Sequence, residues 1–157
     1  MGKSRSIKDA LVQVLSEIQN GDEPAFVEVT DSTSKDFEGY PSVRVLPNYI
    51  ENNKGSMSEN DRDVWFQVVV HLKLEDVTKV QSETIDQMYD LTDLIMDTLD
   101  EADFNNTLEK KDSTIGTYIM DADRADWDVV ESKGGALLML VIGVQVSYSK
   151  DLDNGVN

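Results

Sequence analysis

Over residues 64–74 the chain alternates strictly: Val64, Phe66, Val68, Val70, Leu72 and Leu74 interleave with Trp65, Gln67, Val69, His71 and Lys73. A period of two places the first set on one apolar face and the second on a mixed one, which predicts a β-strand. Residues 136–148 repeat the pattern with Leu138, Leu140, Ile142, Val144, Val146 and Tyr148. The opposite positions Leu137, Met139 and Val141 are apolar as well, so this strand is expected in the interior of a sheet. Elsewhere the spacing turns helical. Ile7, Leu11, Val14, Leu15 and Ile18 form a stripe that Ser6, with Asp9, would cap and Asn20-Gly21 would close. Ile85, Met88, Thr92, Ile95 and Leu99 form a second stripe, on a helix opened by Thr78 with Gln81 and running to about Asp100.

Weaker strand signals lie at 25–30, at 40–46 with Pro41 near its start, at 114–120 and at 127–130. Residues 103–112 read as a polar connection, 132–135 as a turn and 150–157 as a frayed tail. Residues 47–63 hold the longest irregular stretch, rich in Asn, and are expected to be a long mobile loop. Tyr49, Ile50 and Met57 lie within it, and Asp61-Arg62 near its end. A solvated loop has no use for those apolar groups, so Tyr49, Ile50, Met57, Asp61 and Arg62 are candidate docking residues. The order α-β-β-β-α-β-β-β, without repeats or a linker, predicts one α+β domain over 1–150. Both helices should pack on one face of an antiparallel or mixed sheet, covering Phe66, Val68 and Val70.

Charge changes the picture. The second helix carries Asp86, Asp90, Asp93, Asp97 and Asp100, an i, i+4, i+7, i+11, i+14 series on one face, away from the apolar stripe. Like charges at i, i+4 each cost a helix roughly 0.2–0.5 kcal/mol, and Glu would serve helicity better than Asp. The bland reading is a solvated face; the functional one is an acidic surface kept for a purpose. Leu94 sits beside the aspartates, off the stripe, and is the candidate subunit contact. The whole chain of 157 residues has a formal charge of −17 and a pI near 4.2. Such a chain repels nucleic acid and anionic membranes.

Catalytic chemistry finds no foothold. There is no cysteine, and His71, the one histidine, falls on the mixed face of a strand with no nucleophile motif to serve. Asp121, Asp123, Asp126 and Asp128 suggest calcium, but Ala125, Asp126 and Ser132 occupy positions where the calcium loop needs an oxygen ligand, glycine and glutamate. A solvated acidic turn is the better expectation. Gly134-Gly135 lacks the lysine and helix of a phosphate loop, and Lys110-Lys111 is the sole adjacent basic pair. The start matches the loose myristoylation pattern, yet no secretory or membrane-spanning run is expected. No catalytic residue, metal or cofactor is expected, and an interaction protein is favoured over an enzyme.

The ordered set of signals resembles the tail terminator proteins of long-tailed bacteriophages, the minor tail protein U family, and related head–tail joining proteins. It comprises the opening helix, Gly39-Tyr40-Pro41-Ser42-Val43-Arg44-Val45, the polar stretch ending in Asp61-Arg62-Asp63, the strand at 64–74, the midchain helix and the strand at 138–148. The resemblance implies a homohexameric ring in the virion, assembled in the host cytoplasm, that stops growth of the tail tube. Its partners would be the tube protein and a head-completion or connector protein, with DNA passing through unbound. It also implies that the sheet faces the channel and the helix the exterior. The alternative is an acidic DNA mimic that occupies a DNA-binding enzyme with carboxylates in place of phosphates.

Overall fold

The two strongly alternating segments pair with each other in the computed structural model, which describes residues 2–33, 37–53, 61–74, 82–132 and 135–149. They become β5 (Asp61–Leu74) and β7 (Gly135–Ser149), antiparallel throughout, with Val68 opposite Ile142. Around them stand β3 (Glu28–Thr30), β4 (Ser42–Asn53) and β6 (Tyr118–Ser132), in the order β3-β4-β5-β7-β6. Only the β3–β4 pairing is parallel, so the sheet is mixed. The helices α1 (Lys3–Ser16) and α2 (Ser82–Phe104) pack on one face, α1 over β3 and β4 and α2 over β6 and β5. The α+β architecture is therefore as expected, and Phe66, Val68 and Val70 lie in the core beneath the helices.

Several boundaries differ from the sequence expectation, each for a physical reason. Ser6 does not cap α1. The helix starts at Lys3 with Gly2 as its N-cap, and the added turn is tied to the end of β7. There Lys3 Nζ donates to the Ser149 carbonyl at 3.4 Å, and Ser4 Oγ meets the Tyr148 hydroxyl at 2.7 Å. Asn20-Gly21 does not close the helix either. With Gly21 at φ +70, it turns a short hairpin of β1 (Gln19–Asn20) and β2 (Glu23–Pro24), a conformation glycine adopts without strain.

The long loop expected at 47–63 is largely paired strand: Tyr49 faces Trp65, Ile50 Val64, Glu51 Asp63, Asn52 Arg62 and Asn53 Asp61. Pro47 obscured it. The β3 pairing of β4 ends at Arg44, so Pro47 sits on an open edge, where a missing N–H is harmless, and a bulge between Pro47 and Tyr49 absorbs the irregularity. Likewise the acidic turn expected at 121–128 is the middle of β6, hidden by a bulge between Ala122 and Arg124. The connection at 103–112 contains α3 (Thr107–Lys111), anchored by the fully buried Leu108. The Tyr118 hydroxyl ties it down, accepting from Leu108 N–H at 3.0 Å and donating to the Ala102 carbonyl at 2.8 Å. A 3₁₀ turn (Ser113–Ile115) then precedes β6 where a strand was expected from 114. The helix start expected at Thr78 with Gln81, the tail 150–157 and part of the turn at 132–135 lie outside the described residues.

Candidate interaction surfaces

The first surface is the arm formed by the outer halves of β4 and β5. Tyr49 stacks on Trp65, ring centroids 5.4 Å apart, on the face away from the helices. Ile50 points to the helix side and is 57% exposed. Arg62 Nε donates to Asn52 Oδ1 at 2.8 Å, Asp61 accepts from the Ser149 hydroxyl at 3.2 Å and Asp63 from that of Ser147 at 2.6 Å. Tyr49, Ile50, Asp61 and Arg62 thus belong to a paired ladder instead of a loop; Met57 lies outside the described residues.

Beside the arm, on the helix side, a cleft of about 500 Å³ opens between α1 and the strands. Val45, Pro47, Ile50, Val64 and Phe66 supply apolar walls, and Arg5 and Lys8 of α1 stand over them. Lys8 is held by Asp31 at 2.5 Å and Asp9 at 2.6 Å. The hydrogen bond to Asp31, then that to Asp9, raises the Lys8 pKa, and the same contact with Lys8 lowers that of Asp31. Arg5 is exposed, and none of the ion pairs among the described residues includes it. Asp31 lines the cleft as well and neutralises Lys8 together with Asp9, so the cationic group left at the rim of the apolar hollow is Arg5.

The second surface is the outward side of α2. Asp86, Asp90, Asp93, Asp97 and Asp100 are all exposed, and no ion pair among the described residues involves them. The buried side of the helix is Met88, Leu91, Ile95, Leu99 and Ala102, so Leu91 belongs to the stripe that the sequence reading gave to Thr92. Leu94, the candidate subunit contact, lies next to that stripe. It is half-buried, packs against the chain's own core and lines a hollow with Val14 and Ile18, because α1 widens the apolar contact of α2 on that side. The residue that sequence reasoning missed is Phe104. With the helix extended to Phe104, this ring lies 18 residues, five full turns, beyond Asp86 and closes the acidic stripe. It is 87% exposed. The signal was the spacing itself, unread because the helix was ended near Asp100.

The third surface is the sheet face without helices. His71, Val69, Gln67 and Trp65 share it with Met139, Val141, Gly143 and Gln145. Asp121, Asp126 and Asp128 of β6 point to the same side, opposite Gln145, Val141 and Met139. Strand spacing spreads these carboxylates, and no metal-competent group of three acids or histidines occurs among the described residues. His71 is the sheltered point of this face. The Phe37 ring centroid lies 5.0 Å from that of His71, and the Arg44 guanidinium stands over the Phe37 ring at 4.2 Å. Burial, then Arg44, pushes the His71 pKa down to about 4, and neither ring nitrogen has a hydrogen-bond partner among the described residues. Ser42 lies opposite His71 across the strand pair, and its hydroxyl donates to the Gly39 carbonyl at 2.7 Å and not to the imidazole. No protein-family model matches the chain, and no curated protein matches it.

Proposed function

We propose that this protein is a ring-forming structural subunit of a long-tailed phage, a tail terminator that stops tube growth and joins tail to head. One observation carries the reading: the sheet is finished fully on one face and only in part on the other, where Ser42, Val69 and His71 are buried but their neighbours are not. Beneath α1 and α2 the strand residues are buried, whereas Trp65, Gln67, Met139, Val141 and Gln145 on the other face are half-exposed, and among the described residues no helix lies over them. A 15-residue strand β6 forms one edge and the outer half of β4 the other. A subunit with an open face and two long edges suits a closed assembly, in which neighbours complete what one copy leaves uncovered.

The same geometry distributes the charge. If the open face lines the channel, Asp121, Asp126 and Asp128 of β6 supply the negative wall that keeps passing DNA unattached. The α2 aspartates then belong to the exterior or to subunit contacts, since α2 covers the opposite face. In this reading the partners are five further copies, the tube protein and a head-completion or connector protein, at the head–tail junction of a virion assembled in the host cytoplasm. The exposed, unpaired α2 stripe is the observation that favours the rival reading, a DNA mimic acting as a small inhibitor. Native mass measurement separates them. A sixfold species supports the terminator; a monomer or dimer that blocks a DNA-binding enzyme in competition with duplex DNA supports mimicry.

A further inference from the structure

Two features at opposite edges of the helix layer fit each other and cannot be satisfied within one surface. The cleft lies over β4 and β5 beside α1; the acidic stripe and Phe104 lie on α2, over β6 at the other edge of the sheet. Phe104 is the most exposed large apolar side chain among the described residues, ahead of Ile119, Val27 and Tyr89. Asp100 and Asp97 stand one and two turns before it on the same side of the helix, so any hollow that receives the ring also receives two carboxylates. The cleft offers the converse: apolar walls that include the exposed Ile50, with Arg5 at the rim, in no ion pair among the described residues.

We infer that Phe104, with Asp97 and Asp100, docks into the Arg5-rimmed cleft of a second copy of this chain. The inference rests on the ring reading and gives it a lateral contact. Knob and hollow lie at opposite edges of one subunit, and in the ring reading each copy gives its knob to one neighbour and its cleft to another, a heterologous contact that repeats around an axis. An aromatic ring presents roughly 150–250 Å² to bury, and one aromatic anchor flanked by charge pairs is the usual composition of an energetic centre. Net repulsion between subunits of −17 remains, and the local complementarity of Arg5 with Asp97 and Asp100 works against it at this contact.

The test is complementation in the full chain. Phe104→Ala removes the knob and leaves the cleft; Arg5→Glu spoils the cleft and leaves the knob. Both residues are exposed, so both variants should keep the wild-type melting temperature and circular dichroism. Each alone should associate at least tenfold more weakly than wild type in sedimentation. Mixed in equal amounts they should form heterodimers and no rings, because one intact cleft meets one intact Phe104. Wild-type rings together with unaltered assembly of both variants would overturn this contact and leave the ring reading standing. A wild-type chain that stays monomeric at all concentrations would remove the ring reading itself. A chain ended after Ser149 is the control for another occupant. Loss of assembly there, with Phe104→Ala assembling normally, would assign the cleft to residues 150–157 and overturn the proposal.

Discussion

The two faces of the central sheet are built from the same strands and differ in what finishes them. On β5, Val64, Phe66, Val68, Val70, Leu72 and Leu74 disappear under α1 and α2, while Trp65 and Gln67, one residue away in sequence, stay half-exposed. On β7, Leu140, Ile142 and Val144 are fully buried and Met139, Val141 and Gln145 are not. A strand cannot choose its faces independently, because its period is fixed at two. What the chain controls is which face receives the aliphatic residues and which receives a mixture. Stability is therefore concentrated on the helix side. The open side keeps a short half-exposed aliphatic patch, Val141 and Met139, beside the buried Val69 and bordered by Asp126 and Asp128, as a surface that can meet a partner without collapsing onto one.

The largest expected effect tests that division directly. Ile95→Asp places a carboxylate where α2 meets the sheet, at a fully buried position, and should cost about 4 kcal/mol or more. Val141→Asp puts the same group on the open face, where water reaches it, and should cost about 1 kcal/mol, mostly from lower strand preference and a like-charged neighbour in Asp126. Urea unfolding of the two variants measures the difference. Equal losses would mean that the open face is covered in the isolated subunit, and the contrast between the faces would break.

How far this contrast was legible in the sequence depended on how cleanly each segment kept one period. The strands β5 and β7 were readable because twelve aliphatic and aromatic positions alternate without interruption. The outer half of β4 was not. Pro47 and Asn52-Asn53 speak for a loop, and only the ladder to β5 overrides them, a tertiary effect that local preference does not contain. The centre of β6 failed for a related reason: four aspartates disfavour a strand, and the bulge at Ala122 and Arg124 breaks the alternation that would have betrayed it. Of the interaction surfaces, the α2 stripe was legible and its terminal Phe104 was not. The cleft under Arg5 joins residues from α1, β4 and β5, and no one-dimensional pattern brings those together.

The sheltered corner of the open face, where His71 is buried with Val69 and Ser42, sets the next effect. His71 is neutral in the folded chain, with a pKa pushed down to about 4 by burial and by Arg44, against 6.5 when unfolded. As pH falls, the unfolded chain takes up this proton first. Its contribution is therefore complete above pH 6.5, is lost progressively from 6.5 to about 4, and is constant below that; the span corresponds to at most about 3 kcal/mol. Carboxylates titrate over the lower part of this range, so the informative quantity is the difference between wild type and His71→Leu. Unfolding free energies that diverge between pH 7 and 4.5, with the variant flatter, would show that Phe37 keeps His71 out of water. Parallel curves would mean that this corner is as open as the rest of the face.

The smallest expected effect on folding belongs to the α2 aspartates, and its smallness is what makes it useful. Asp97 and Asp100 are exposed and in no ion pair among the described residues, so Asp97→Asn with Asp100→Asn should leave stability within about 0.5 kcal/mol of wild type. The direction is toward a slight gain, because Asp93 no longer repels a charge at position 97 or 100. Association should move the opposite way. If these carboxylates meet Arg5 of a neighbour, the double variant should lose several-fold in assembly despite its reduced negative charge, whereas a purely solvated stripe would make assembly easier as repulsion falls. Sedimentation at fixed salt reads the sign. Stronger association of the Asn variant would return the stripe to a solvated face and leave Phe104 without its flanking charges as a docking element.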